Sequence, residues 1–341
     1  MSDGRTRNRL SRVAEPRLWV GVGLSVLAVY LSVRDVQWGE VAKVLLHSDR
    51  LVLLLVLGTV MVNTWMKAVR WRLLFYPSHS QLSVWICLLA LLVGQLGNKL
   101  LPARLGDLAR IYMIGEGTGI SRALALATTI VEKAMDSVML LALIALLSLR
   151  MPMPLWLARS SVLLSSLLAA LLFAMLLLAS RNWSIAEVLQ RRAEGHASPA
   201  VLQAFGRLVE AGHSLRALSD PSVQMQVWMW SFLIWLTATA TNVLAFWALG
   251  LGANVLPSLV LLVVLMTGAA LPTSPLQLGV FHYLCVLTLT LFGVEHSIAL
   301  SYALVLHLAV HLPIVVGGAL GLWVGQLDLK KLGTDPATQG G

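Results

Sequence analysis

Long apolar segments, separated by short polar ones, extend along almost the whole chain. Six of them approach the length of about 20 apolar residues that a transmembrane helix needs: 17–33, 51–69, 122–149, 156–180, 222–249 and 297–324. Two further apolar regions, 82–119 and 256–292, are each interrupted by prolines, glycines and polar residues. Because the apolar runs are continuous and do not alternate, the pattern predicts an all-α, polytopic integral membrane protein and argues against a transmembrane β-barrel.

Lysine and arginine residues indicate how these segments are oriented, because cytoplasmic loops of membrane proteins are enriched in both. Four basic regions are therefore expected in the cytoplasm: 1–16, 67–72, 181–220 and 330–331. All four lie on one side of the membrane only if 82–120 and 256–292 are re-entrant hairpins that enter from opposite faces. Short segments broken by Pro or Gly in both halves of a chain are typical of transporters with inverted repeats. We predict about six full spans and two re-entrant helical hairpins, with an inverted repeat as a hypothesis.

Composition supports a single transmembrane domain over 17–325, because 58% of the residues are hydrophobic and only 12% are charged, against about 25% charged in soluble domains. A basic cytoplasmic tail, 1–16, precedes this domain, a cytoplasmic loop with a surface helix interrupts it at 181–220, and a polar tail, 326–341, follows it. The net charge of +9 does not indicate nucleic acid, since the basic residues flank apolar segments, where they face anionic lipid. We expect the cytoplasmic (inner) membrane, with both termini in the cytoplasm.

The first interruption, 97–110, concentrates polar side chains within an apolar region: Asn98, Lys99, Arg104, Asp107 and Arg110. Guanidinium groups match phosphate oxygens with a rigid fork, so Arg104 and Arg110 are candidates for phosphate contacts, and Lys99 would add a point charge. Asp107 falls where a new helix would begin, and we expect it to cap that helix. The alternative is an ordinary cytoplasmic loop, in which the arginines only follow the positive-inside rule.

The helix predicted at 122–149 carries Glu132, Lys133 and Asp136 within an apolar sequence. Glu132 and Asp136 are four residues apart and therefore share a face. Each ion at bilayer depth costs about 2.5–3.5 kcal/mol on insertion scales, so these carboxylates need partners. The cations of the first interruption are the expected partners. A purely structural ion-pair cluster that holds the first hairpin in place is the alternative to a role in binding.

The second interruption, 271–282, contains Ser274, Gln277 and His282. Further on, His307 and His311 are four residues apart in the last predicted span. Two histidines at this spacing can bind a metal ion, but no third ligand is evident, so no metal site is predicted. We expect packed interior histidines, with proton coupling or contact with a lipid head group as alternatives. The chain has no nucleotide-binding or hydrolase motif, and no cofactor is predicted.

Three segments carry a family resemblance: 98–110 reads NKLLPARLGDLAR, 131–136 reads VEKAMD, and 271–282 reads LPTSPLQLGVFH. They resemble the motifs P-x-R-x-G-(E/D)-x-x-R, E-(R/K)-x-x-D and P-x-(S/P)-P-G-G-x-G-x-x-E of flippase-like membrane proteins related to the transmembrane domain of lysylphosphatidylglycerol synthases. In the third motif Leu276 and Gln277 replace the Gly-Gly pair, and His282 replaces the acid. The resemblance implies a polytopic helical fold that moves an anionic or zwitterionic lipid between leaflets. The synthases continue into an aminoacyl transferase domain, which this sequence lacks, so we expect no aminoacylation of lipid.

The predicted function is that of a flippase or scramblase for an anionic or polyprenyl-phosphate-linked lipid, and not that of an enzyme. Membrane lipids are the expected partners, and lipid-biosynthesis enzymes are further candidates. One alternative is a membrane glycosyltransferase that uses a polyprenyl-phosphate sugar donor, with Asp35 and Glu40 as acids of the first external loop. The other alternative is a non-transporting partner in a lipid-biosynthesis complex. The sequence does not predict an oligomeric state.

Overall fold

The computed structural model describes residues 23–150 and 220–332, except 24, 35, 78, 102–104 and 270–273, together with the isolated positions 159, 163, 166 and 170. Side chains are described up to residue 324. Several predictions therefore lie outside the described residues, namely the tail 1–16, the tail beyond 332, nearly all of 156–180 and of the 181–220 loop, Asp35 and Arg104. The first residues of the predicted polar tail, 326–332, are helical and continue the last helix.

The described part of the chain is helical, as the apolar pattern predicts. A helical segment at 25–33 comes first. It is followed by α1 (Trp38–Leu46), α2 (Arg50–Leu73), α3 (Val84–Leu100), α4 (Gly106–Thr118), α5 (Arg122–Ser148), α6 (Pro221–Ala248), α7 (Val255–Gly268), a 3₁₀ turn (Pro275–Gln277), α8 (Val280–Thr290) and α9 (His296–Leu332). Four of these helices begin after a side chain that accepts a hydrogen bond from the first turn, as N-caps do: Asp49, Ser83, Ser121 and Asp220.

Three of the described helices are long and apolar enough to cross a membrane, judged by length and composition: Arg50–Leu73, Pro221–Ala248 and His296–Val324. The helix α5 is of similar length, with 27 residues, and spans about 40 Å at 1.5 Å per residue. It carries the ionic residues that the sequence placed in a predicted span. The chain is thus an all-α, polytopic integral membrane protein.

The antiparallel pair α2 and α6 defines the two ends of the bundle. The Asp49 amide donates to the Ala248 carbonyl at 2.8 Å, so the start of α2 lies beside the end of α6. Farther along, Asn63 Nδ2 donates to the Ile234 carbonyl at 2.7 Å. We call the two ends the Asp49 end, where α2 begins, and the Asp220 end, where α6 begins.

The two helical hairpins enter the bundle from opposite ends. The first hairpin, α3 and α4, opens at the Asp220 end, where one apolar cluster joins the end of α2 to the hairpin base and to the starts of α5 and α6: Trp71, Cys87, Ile114, Leu124 and Val227. The second hairpin, α7 and α8, packs at the Asp49 end, where another cluster joins it to α2, α6 and α9: Val56, Phe246, Leu261, Cys285 and Leu300. This arrangement confirms the two opposed hairpins that the charge pattern predicts.

Glycines let the first hairpin pack closely on itself and on α9. A Cβ atom at Gly106 of α4 would collide with the backbone of Gly94 and Asn98 in α3. On the other side of α3, Gly318 of α9 faces Leu96. Small residues at helix crossings allow such close approach in membrane proteins. The end of α3 is thereby held between α4 and the middle of α9.

Candidate functional site

The interrupted tips of the two hairpins meet inside the bundle. Lys99, in the last turn of α3, donates a hydrogen bond from Nζ to Oε1 of Gln277 in the 3₁₀ turn, at 2.8 Å. Because the hairpins enter from opposite ends, this contact puts both interruptions in the interior of the bundle. Broken backbone and polar side chains are tolerated at such a depth only when protein or a water-filled cavity surrounds them.

The expected cap of α4 differs from the observed one. The sequence predicts that Asp107 caps this helix, but Asp107 lies in its first turn. The Asp107 amide donates to Oδ1 of Asn98 at 3.2 Å, so Asn98 satisfies the exposed end of the helix. The Asp107 carboxylate instead lies 3.4 Å from Nε of Arg110 and 3.8 Å from Nζ of Lys133. Because Asn98 accepts the hydrogen bond from the first turn of α4, the Asp107 carboxylate remains available to pair with cations.

The carboxylates of α5 are paired with two buried arginines. Nη1 of Arg110 donates to Oε2 of Glu132 at 3.1 Å. Arg70 of α2 donates from Nη1 and Nη2 to the two carboxylate oxygens of Asp136, at 2.7 and 3.2 Å. Its Nη2 also lies 3.8 Å from Oε1 of Glu132. Glu132 therefore bridges the two guanidinium groups.

The prediction that cations of the first interruption balance both carboxylates is confirmed for Glu132 and wrong for Asp136. The partner of Asp136 is Arg70, which the sequence analysis assigned to a basic flank at the end of a span. A sequence signal was present, because Asn63, Lys67 and Arg70 recur at intervals of four and three residues and so share a helix face. The positive-inside rule explained the same residues without this contact.

Burial makes the pairing of these charges necessary. The Arg70 side chain is fully buried and that of Arg110 is 3% exposed, whereas that of Asp136 is 31% exposed. Taking one partner away from a buried ion pair leaves an uncompensated charge. Arg110 is further enclosed by the ring of Trp71, whose centroid lies 4.9 Å from the guanidinium carbon.

Three buried guanidinium nitrogens of this network have no hydrogen-bond acceptor among the described residues, namely Nε of Arg70 and both Nε and Nη2 of Arg110. Buried polar groups in folded proteins are almost always paired, so an unmatched guanidinium nitrogen marks a place where an anion fits. Its neighbour across the break, Arg104, lies outside the described residues.

Three histidines gather at the second tip. Nε2 of His307 donates to the Leu276 carbonyl at 3.0 Å. The rings of His307 and His311 stack with centroids 3.9 Å apart, and the ring of His282 lies 4.7 Å from that of His307. Lys99 interacts electrostatically with His307 and His311. The structure thus joins residues from three separate parts of the sequence around the contact between the tips.

No metal site accompanies these histidines: among the described residues, no group of three or more His, Cys, Asp or Glu is arranged to hold a metal ion.

The backbone of the second tip has a conformation that residues other than glycine rarely adopt. Leu276 has φ 58° and ψ 9°, and Gln277 has φ 58°. This left-handed conformation costs a residue other than glycine about 1–2 kcal/mol. These are the two positions at which the resembling motif has Gly-Gly. The chain keeps a glycine-like turn here and gains the Gln277 side chain that reaches Lys99.

Ser274 anchors this turn against the N-terminal helical segment. Its amide donates to Oγ of Ser25 at 2.9 Å, and its own hydroxyl donates to the Leu278 carbonyl at 3.0 Å. An open groove of about 420 Å³ lies between the two, lined by Ser25, Val26, Val29, Tyr30, Ser274 and Leu278. Ser274 thus has a structural role that the sequence analysis did not predict.

The acids considered for a glycosyltransferase do not form a described site. Asp35 lies outside the described residues. Glu40 has a 43% exposed side chain, 3.8 Å from Lys43.

Long apolar helices, opposed broken hairpins and buried ion pairs define a polytopic helical membrane protein with a polar centre. The chain belongs to the family described as the lysylphosphatidylglycerol synthase TM region, whose model matches residues 18–318. This match confirms the resemblance of the three motifs. The chain is also similar to a UPF0104 membrane protein of Methanocaldococcus jannaschii, with 25% identity over 240 residues, which covers 69% of this chain and 96% of the relative. No solved structure matches the chain significantly.

Proposed function

We propose that this protein moves a phosphate-bearing lipid between the leaflets of the cytoplasmic membrane, as a flippase or scramblase. The observation that carries the proposal is the buried Arg110, which has an unmatched Nη2 beside the first interruption. An unpaired N–H of a guanidinium group can donate a hydrogen bond to a phosphate oxygen, whereas lipid tails offer no acceptor. Membership of a lipid-related membrane family supports the same substrate class.

In the proposed mechanism the head group crosses at the contact between the tips, while the acyl or prenyl tail stays in lipid. Arg110 and Lys99 bind the phosphate, with Arg104 as a further contact. Glu132 balances Arg110 in the empty site, and it keeps Arg70 as a partner at 3.8 Å when the phosphate occupies Arg110. Arg110 therefore has an anionic partner both in the empty site, where it is Glu132, and in the occupied site, where it is the phosphate.

The proposed orientation follows from charge. The Asp220 end is the proposed cytoplasmic end, because the arginine-rich segment 181–220 leads directly into α6 there and cytoplasmic loops are enriched in such residues. Both termini then lie in the cytoplasm, and the first hairpin enters from that side. The transmembrane domain comprises 17–325, and lipid-biosynthesis enzymes are proposed partners.

Reconstitution of the full chain in liposomes tests the proposal. Phosphatidylglycerol with a fluorophore on its acyl chain is placed in both leaflets, and dithionite added outside reports how much lipid reaches the outer leaflet. We expect Arg110→Lys, which keeps the charge and loses the fork, to reduce transport at least about tenfold, the effect of one charge-assisted hydrogen bond. Arg122→Lys is the matched control, since the Arg122 side chain is 59% exposed and pairs with Glu116.

Two results would reject the proposal. One is the absence of transport for phosphatidylglycerol, an aminoacylated phospholipid and a polyprenyl-phosphate sugar alike. The other is a folded Arg110→Lys variant that transports lipid as fast as Arg122→Lys does.

A further inference from the structure

Among the described residues, two hydrogen bonds fasten the strained turn of the second tip to other helices. Gln277 accepts a hydrogen bond from Lys99 through its side chain, at 2.8 Å. The preceding residue, Leu276, accepts one from His307 through its carbonyl oxygen, at 3.0 Å. The first contact joins the second tip to α3, and the second contact joins it to α9. The 3₁₀ turn is therefore fastened to α3 and α9, and through Ser274 also to the N-terminal helical segment.

Backbone strain in this turn opposes these contacts. Two consecutive residues with φ of 58° occupy a region in which residues other than glycine are rare, and such strain persists only when the surrounding structure holds it. Loosening the contacts allows the turn to relax. The closed arrangement of the tips is thus held by a small number of polar contacts, against a local preference for another backbone conformation.

We infer that Gln277 is a displaceable partner of Lys99, which holds the tips together until a phosphate oxyanion takes its place on the lysine and the tips separate. This inference rests on the proposed function and assigns it a coupling step: binding of the substrate opens the path. Gln277 is a positioning residue in this step, because it acts through Lys99.

The chemistry of the two acceptors gives the direction of the exchange. The amide oxygen of Gln277 is neutral, whereas a phosphate oxygen carries charge. The ammonium already makes a charge-assisted hydrogen bond to the amide, but with a phosphate oxyanion it also gains the attraction between opposite charges, which is stronger in a protein interior than in water. An ammonium in the interior of the protein therefore prefers phosphate to the amide. The stacked pair of His307 and His311 lies within electrostatic range of the same ammonium, so an incoming phosphate reaches Lys99 beside these two rings.

Two glycine substitutions separate the effect of the Lys99–Gln277 hydrogen bond from the effect of the backbone strain. Gln277→Gly relieves the backbone strain and removes the amide that contacts Lys99. Leu276→Gly relieves the same kind of strain one residue earlier and keeps both the amide of Gln277 and the carbonyl that accepts from His307. A difference between the two variants therefore reports the hydrogen bond to Lys99 and not the conformation of the turn.

The distance between the tips is measured by electron–electron double resonance on the purified full chain. Spin labels are placed at Leu101 and Leu278, which are 48% and 47% exposed, after both buried native cysteines are replaced by alanine. In dodecyl maltoside, which has no phosphate, we expect the ratio of long to short distances to be roughly tenfold higher in Gln277→Gly than in Leu276→Gly, as for a lost charge-assisted hydrogen bond. Leu276→Gly should leave the short distance predominant. Equal distributions in Gln277→Gly and in Leu276→Gly would overturn the inference.

Added phosphate tests displacement and identifies its source. In the labelled parent, dioleoyl phosphatidylglycerol in the micelle should lengthen the distance, and Gln277→Gly should show no further change. A shift with the lipid alone assigns a lipid head group, and an equal shift with inorganic phosphate assigns the free anion. No shift with either would overturn the inference. The proposed function is tested separately, by dithionite accessibility in liposomes. Failure of the proposed displacement of Gln277 can therefore be distinguished from failure of the proposed transport.

Discussion

The two hairpins share a plan of helix, break and helix, but they bring opposite chemistry to the centre of the bundle. The first hairpin contributes Arg110 and Asp107, which join an ion-pair network with Glu132 of α5. The second hairpin contributes Gln277, which accepts a hydrogen bond from Lys99, and His282, whose ring lies beside that of His307. The charged half is suited to binding an anion, and the neutral half is suited to closing over it.

The two halves also differ in how strongly each side chain is held. In the first half a buried charge depends on another charge, so removal of one partner is costly. In the second half Gln277 accepts a single hydrogen bond and His282 makes ring contacts. One hydrogen bond contributes about 1 kcal/mol between neutral groups and about 1.5–3 kcal/mol to a charged group. Substitutions are therefore expected to be more destabilising in the first half than in the second.

The largest effect is expected for Asp136→Ala. It leaves the fully buried Arg70 without its bidentate partner, and we expect a loss of about 3 kcal/mol of stability, as for other broken buried ion pairs. Thermal unfolding of the purified protein in detergent measures the loss. Glu116→Ala is the matched control, because its ion pair with Arg122 is exposed and such pairs contribute at most about 1 kcal/mol.

A second variant sharpens this result. Arg70→Met combined with Asp136→Leu removes both charges, and replacement of a whole buried pair by apolar residues is often neutral. The double variant should therefore unfold at a higher temperature than Asp136→Ala does. If Asp136→Ala and Glu116→Ala lower the midpoint equally, the network is not the buried electrostatic core that distinguishes the first half.

Sequence reasoning predicted the architecture because the relevant signals are local. The prolines and glycines of each break lie within a few residues of one another, and the arginines and lysines of the loops are visible without any contact. Glu132 and Asp136 are four residues apart on one helix, so their common face follows from helical geometry. These signals were sufficient for two opposed hairpins and for carboxylates that need cations.

The pairing of the site was less predictable because it depends on distant parts of the chain. Arg70 and Asp136 are 66 residues apart, and Lys99 and Gln277 are 178 apart. An arginine near the end of an apolar helix fits the positive-inside rule equally well, so only the helix face that Arg70 shares with Asn63 and Lys67 distinguished it from Arg72. The left-handed turn at Leu276 and Gln277 had no signal in its own residues, and only the Gly-Gly of the resembling motif pointed to it.

A smaller effect is expected in the neutral half for His307→Phe. Phenylalanine keeps an aromatic ring between His282 and His311, but it cannot donate to the Leu276 carbonyl. We expect a loss of about 1 kcal/mol, the usual value for one hydrogen bond, measured by thermal unfolding. His282→Phe is the control, since its ring contacts with Phe281 and His307 survive the change. Equal losses in the two variants would show that ring packing, and not the bond to the turn, holds this half.

The smallest effect, and the one with the opposite sign, is expected for Leu276→Gly. Glycine adopts φ of 58° without the penalty of about 1–2 kcal/mol that leucine incurs, but it loses about 0.5–1 kcal/mol through its freer unfolded chain. A net gain of about 0–1.5 kcal/mol in stability should remain. Leu278→Gly is the control, because Leu278 has an ordinary φ of −55°, so glycine there relieves no strain and only destabilises. If Leu276→Gly destabilises the protein as much as Leu278→Gly does, the turn is not strained, and the neutral half has no stored preference for opening.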